Sequence, residues 1–129
     1  MSLLFTPFFL PSARGGIHLP NRITVAPMCQ YAAVDGCATD WHLMHWGNLL
    51  NSGAAMFTIE ATAVLPQGRI TPGCLGLWDT MTEAALADRL HRARKLAPPV
   101  AVCIQLAHAG RKASSALPWH GGQLLGPQA

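Results

Sequence analysis

A chain of 129 residues, half of them hydrophobic and only 12% charged, carries enough apolar material for one core and too little charge for disorder. Its net charge of +3, spread along the chain, is too mild and scattered to point to nucleic acid, and no apolar run approaches the roughly 18 residues of a membrane span. Met1–Leu10 lacks a secretory leader's basic start and cleavage site, and the cysteines at 29, 37, 74 and 103 form no Cys-x-x-Cys pair, so reduced thiols and a cytoplasmic setting are expected.

Positions 1–20 read as a cap segment. Phe5, Phe8, Phe9 and Leu10 are apolar anchors, while Pro7, Pro11 and the Gly15–Gly16 pair interrupt regular structure and leave room for a short hairpin. The β-branched run Arg22–Ala26 predicts a buried strand that stops at Pro27. Past the Cys29–Thr39 loop, Asp40 is the expected N-cap of a helix, with Leu43, Trp46 and Leu50 at helical spacing and Gly53 placed to end it. Ala55–Thr62 predicts a second strand, with Glu60 at its polar end. The Pro-, Gly- and Thr-rich loop from Val64 to Asp79 is long enough to be functional or to conceal an element.

Thr80 with Glu83 fits a capping box and opens a second helix to about Ala97, its buried side marked by Leu86, Leu90, Ala93 and Ala97. Pro98 and Pro99 stop it, and Val100–Leu106 predicts a third strand whose end turns polar at Gln105, His108, Arg111 and Lys112. Residues 107–129 form a loop and open end without periodicity. The order strand, helix, strand, helix, strand over 21–106 predicts an α/β fold with parallel strands. All three polar ends then emerge on one edge, where such folds place their chemistry.

Several side chains there admit two readings. Cys29 could be a reactive thiol or tune a bound redox ring, or it could be a buried apolar cysteine. Tyr31 could donate to or stack on a ligand, or simply pack with its hydroxyl wet. His42 and His45 sit three apart on the first helix, but two ligands do not complete a zinc site, and packing accounts for them better. Gln105, an amide near the end of an apolar strand, needs donor and acceptor both met, by a flat heterocycle or by neighbouring backbone. Ala107–Lys112 could bind an anion or be a solvated loop, and no Gly-x-Gly-x-x-Gly pattern is present.

The segments Leu4–Pro7, Asn21–Ile23, Ala26–Tyr31, Glu60–Val64, Gly68–Thr71 and Gln105–Lys112, in that order and spacing, resemble the old yellow enzyme family, and more narrowly its bacterial branch that includes xenobiotic reductases. The resemblance implies a (β/α)8 TIM barrel of which this chain is the amino-terminal part, incomplete by itself. It implies FMN bound at the strand ends, reduction by NADPH or NADH, and a small-molecule substrate with a C=C bond activated by a carbonyl or nitro group. It further implies that Pro27 and Met28 line the flavin through their backbone, Cys29 tunes it, Ala61 offers backbone contact, Gln105 meets the pyrimidine edge and Tyr31 faces the substrate. The family's substrate-oxygen clamp, tyrosine proton donor and phosphate loops belong to later strands. A barrel of this kind needs at least about 200 residues. A second polypeptide carrying the carboxy-terminal strands, within an oligomer, is therefore expected. The alternative is an inactive truncated fragment that self-associates.

Overall fold

The computed structural model describes residues 2–112 and 114–126; Ala113 and the last three positions of the expected open end lie outside them. The amino-terminal segment forms the anticipated hairpin. β1 (Phe8–Leu10) pairs antiparallel with β2 (Ile17–Leu19), Phe8 opposite Leu19. Gly16 turns the hairpin at φ +88°, and a Cβ there would stand 2.5 Å from the Leu10 carbonyl oxygen, so only glycine fits.

Four parallel strands and two helices follow: β3 (Thr24–Val25), α1 (Asp40–Leu50), β4 (Met56–Ala63), β5 (Leu75–Gly76), α2 (Thr80–Arg94) and β6 (Ala101–Ala107). β4 is central. β3 pairs with its first residues and β6 runs along its whole length on the opposite edge. β3 is shorter than the predicted Arg22–Ala26. The Asn21 side chain takes the Ile23 N–H at 3.0 Å, and Pro27 has no N–H to continue the ladder. The unassigned loop after β4 does conceal an element, the two-residue β5. It continues the β3 edge of β4 through Thr62 opposite Leu75 and Ala63 opposite Gly76.

Both helices start one residue earlier than expected at their caps. Thr39, extended at φ −106° and ψ 179°, is the N-cap of α1, and its N–H donates to His42 Nδ1 at 3.0 Å. Asp40 is instead the first helical residue and pairs with Arg89 of α2 at 3.0 Å. At α2, Asp79 accepts the Thr82 N–H at 2.8 Å while Thr82 Oγ1 accepts the Asp79 N–H at 3.2 Å, a reciprocal box built without Glu83. The last turn of α2 tightens beyond Arg94, with Leu96 and Ala97 donating to carbonyls three residues back, which carries Ala97 onto the core.

The Thr82 backbone N–H, and then its hydroxyl, hold the Asp79 carboxyl below the usual carboxylate range. Its folded pKa is depressed, so this contribution is complete above the ordinary carboxylate pKa and is lost as pH falls through the folded value. In Asp79→Asn the fall in thermal midpoint between about pH 6 and pH 3 should be shallower than in the parent. Superimposable midpoint-versus-pH curves would remove the cap from the acid response.

One face of the sheet carries the core: Phe57 and Ile59, with Val25, Val102 and Ile104, pack against Trp46 and Leu50 of α1 and Leu90 and Ala93 of α2. On the opposite face the hairpin covers only the lower end, where Leu19 meets Ala55, Met56 and Ala101. Above that, Thr24, Ala26, Cys103 and Gln105 stand exposed. Among the described residues no strand pairs with the outer edge of β6.

Candidate active site

The exits of β3, β4 and β6 lie side by side, and the first is fastened most heavily. The Gln30 backbone N–H donates to Glu60 Oε1 at 3.0 Å, and its amide donates to the Met28 carbonyl at 3.0 Å while accepting the Trp41 indole N–H at 3.2 Å. One side chain therefore ties the loop to itself and to α1, while the adjacent N–H ties it to β4. Met28 is left 60% exposed, and Pro27 is half-buried. Tyr31 sits at φ +53°, a left-handed conformation uncommon for a bulky residue and found mostly where the surroundings impose it. Its ring meets Trp119 edge-on, with centroids 6.2 Å apart.

Cys29 is where the strand ends meet. Its neighbour Cys74, from the loop before β5, together with burial pushes the Cys29 thiol pKa up, the Ala61 backbone opposing. The Cys74 sulfur in turn takes the Thr71 N–H at 3.4 Å and lies 3.6 Å from its hydroxyl. Burial, with the two neighbouring thiols and Glu60 adding to it, pushes the Tyr31 phenol above its usual value, so it remains a proton-bearing donor at neutral pH.

β4 and β6 leave register at this level. Ile59 lies opposite Ile104 and Thr62 opposite Leu106, so Glu60 and Ala61 together oppose Gln105. Two residues facing one is a β-bulge, which bends the strand and frees backbone polar groups from the ladder. It swings Glu60 under the Cys29–Tyr31 loop, where the carboxyl is 3% exposed and lies 3.8 Å from His42 Nε2. Because His42 Nδ1 accepts the Thr39 N–H, the neutral ring carries its proton on Nε2, toward Glu60. His42 thus serves as helix cap and buried packing partner of Trp46. Burial lowers the pKa of His45, with Glu60 opposing. Among the described residues, no group of three His, Cys, Asp or Glu side chains could hold a metal.

Of the residues singled out from the sequence, Cys29, Ala61 and Tyr31 converge, and Gln105 stands across the bulge from Ala61. His108 and Arg111 do not join them. His108 Nδ1 accepts the Gly110 N–H at 3.1 Å and its ring packs on Gly68, while Arg111 is exposed. Three contributors were not assigned from the sequence: Gln30, the brace under the loop; Glu60, its carboxyl anchor; and Cys74, the second thiol. Only Glu60 left a signal, as an acidic residue closing an apolar strand.

The comparisons with known proteins agree with this geometry. A profile of the NADH:flavin oxidoreductase / NADH oxidase family matches residues 4–123. An NADH:flavin oxidoreductase of Gibberella zeae is 46% identical over 116 residues, covering 88% of this chain and 27% of that protein. Among solved structures, morphinone reductase in complex with tetrahydroNAD superposes with a TM-score of 0.73 at 26% identity, covering 88% of this chain and 29% of that one. An old yellow enzyme from a Pichia species shares the fold, with a TM-score of 0.74 at 22% identity over 87% of this chain and 28% of its own. The chain spans roughly a quarter of the length of the curated relative. It belongs to the NADH:flavin oxidoreductase / NADH oxidase family, and its sheet and helices correspond to opening β/α units of the old yellow enzyme TIM barrel.

Proposed function

We propose that this member of the NADH:flavin oxidoreductase / NADH oxidase family forms the first-strand side of an FMN site in an ene-reductase, completed by a second polypeptide that carries the remaining barrel strands. The completed protein takes electrons from NADPH or NADH and reduces C=C bonds activated by a carbonyl or nitro group. The observation that carries this reading is that parallel β3, β4 and β6 bring the segments of Cys29, Ala61 and Gln105 to one end of the sheet, beside an uncovered face.

The residues fit the cofactor. An exposed amide, a bulged backbone and a half-buried thiol form an apolar ledge with a few fixed polar groups, as a flat heterocycle requires. FMN, when bound, supplies the hydride chemistry, and the protein orients it and sets its electrostatics. In this reading Gln105 offers one donor and one acceptor to the pyrimidine edge. The backbone at Pro27, Met28 and Ala61 supports the ring, and Cys29 faces its reactive side. The Tyr31 phenol, protonated at neutral pH, is a donor for the substrate. Gln30 and Glu60 keep the loop from collapsing into that space.

Native mass spectrometry of the purified protein tests the reading, since it reports flavin and accompanying polypeptide together. The expected result is a yellow complex that oxidises NAD(P)H in the presence of an activated alkene. A colourless self-associated chain would favour the inactive fragment. In the completed protein, Cys29→Ala should change the rate of flavin reduction or the flavin potential several-fold more than it changes FMN retention. Unaltered stopped-flow reduction traces would remove Cys29 from that role.

A further inference from the structure

The chain that leaves β6 folds back over the strand ends. The Ala109 N–H donates to the Gly68 carbonyl at 2.9 Å and the Ser115 N–H to the Ile70 carbonyl at 2.8 Å, so this segment is clasped twice to the loop that follows β4. Beyond the clasps it closes on itself, Ala116 donating to the Gln123 carbonyl and Leu125 to the Ser114 carbonyl, each at 2.8 Å. Trp119 stands at the tip, in the short helical turn Pro118–His120 that Gly121 ends at φ +94°. Leu117 seats the tip against Gly73, where a Cβ would stand 2.8 Å from the Leu117 methyl and 2.4 Å from the Tyr31 carbonyl oxygen. The Ala33 N–H, donating to the Gly73 carbonyl at 3.0 Å, fixes the loop after β3 to the same point.

Tyr31 and Trp119 are thus brought together from the loops after β3 and β6, their ring planes 71° apart. Two rings at that angle make a corner, and Trp119 keeps 60% of its surface exposed there, although packing for stability alone would bury most of an indole. We propose that Trp119 is a specificity-determining residue: the corner it makes with Tyr31 receives a flat apolar group carried by the activated alkene, an aryl ring above all. The inference rests on the reading above, in which Tyr31 faces the substrate. An aryl ring in the corner gains offset or edge-to-face contact and leaves water, whereas a small acyclic enone has no ring to place there. The clasps and Pro118 fix the indole in advance, so little conformational freedom is lost when it is covered. The aryl group takes no part in hydride transfer. Its contact is therefore the same in ground and transition states and shows in Kd and KM rather than in kcat.

The test compares the protein as purified, with its accompanying polypeptide, against Trp119→Ala and Trp119→Phe. The probes are benzylideneacetone and ethylideneacetone, enones that differ only in phenyl against methyl on the β-carbon. Binding of benzylideneacetone is followed by ligand-observed NMR with no nicotinamide present, so that no turnover intervenes. Trp119→Ala should raise its Kd about tenfold, while Trp119→Phe, which keeps a flat face, should stay within about threefold of the parent. With NADPH or NADH supplied, the ratio of kcat/KM for benzylideneacetone to that for ethylideneacetone should fall by a similar factor in Trp119→Ala, through KM. Trp119→Leu serves where alanine unsettles the loop: it keeps apolar bulk without a flat face and should weaken binding more than phenylalanine does. No binding to the parent, an unchanged Kd, or equal losses for both ketones would overturn the proposal. So would loss of the accompanying polypeptide from the variants in native mass spectrometry, which would make Trp119 an assembly contact. Benzylideneacetone bound with this dependence on Trp119, but reduced by no form of the protein, would count against the ene-reductase reading alone.

Discussion

Trp46→Ala should cost about 3–5 kcal/mol of stability, a large part of the roughly 5–15 kcal/mol a domain possesses. Trp46 is fully buried among Leu50, Phe57, Ile59 and Leu75, at the junction of α1 with the central strand. Burying an indole removes about 150–250 Å² from water, and at roughly 25 cal/mol per Å² that alone approaches 4–6 kcal/mol. One term runs the other way. Its Nε1 is buried without a hydrogen-bond partner among the described residues, so truncation also relieves an unpaired donor worth about 1–3 kcal/mol. The packing loss exceeds that relief, and the sign stays destabilising.

Trp46→Phe separates the two terms. It keeps most of the ring contact and deletes the N–H, so it should fall within about 1.5 kcal/mol of the parent. Urea titration of both variants, followed by far-ultraviolet circular dichroism, measures the difference. Equal costs for phenylalanine and alanine would mean that a six-membered ring at this position contributes no packing, and would overturn the argument. Loss of Trp46 packing should also loosen the site, because neighbouring His42 caps α1 and borders Glu60, which anchors the Gln30 N–H.

What could be read in advance was what short-range pattern controls. The alternation and β-branching of Ile23–Val25 and Met56–Ile59 mark strands, and Leu43, Trp46 and Leu50 mark a helical face, because burial imposes periods of two and 3.6. Each helix cap lies one residue before the position that the pattern predicts. Threonine and aspartate both cap well, and neighbouring tertiary contacts decide between them; at α1, Arg89 on α2 pairs with Asp40 while Thr39 takes the cap. β5 was unreadable, since two residues in an irregular loop become a strand only by pairing with the end of β4.

The same division holds at the site. Cys29, Tyr31 and Gln105 stand out in the sequence because they are reactive or polar groups closing apolar runs. The bulge that sets Ala61 and Glu60 opposite Gln105 depends on the pairing of two strands distant in sequence. The approach of the loop after β3 to the loop before β5 depends on backbone clasps that no local pattern announces. Assigning these positions to a flavin rests on the resemblance of whole segments, to which the geometry adds their proximity.

Gln105→Leu should weaken FMN binding by about 1–3 kcal/mol, roughly 5- to 150-fold in Kd. Gln105 stands exposed on the face away from the helices, so the substitution removes no core contact and leaves the flavin-free fold within about 0.5 kcal/mol of the parent. Leucine matches its size but supplies neither donor nor acceptor. A pyrimidine edge buried against it would give up its hydrogen bonds to water without replacing them. The loss should therefore appear in affinity and not in stability. Fluorescence titration of FMN into the completed apoprotein measures the first, and thermal melts with and without flavin measure the second. Gln105→Glu refines the outcome: it keeps acceptors, drops the amide donor and adds charge beside the ring, so it should bind no better than leucine. Equal FMN affinity in all three proteins would move the pyrimidine edge away from β6 and leave the bulge between Ala61 and Gln105 without its proposed ligand.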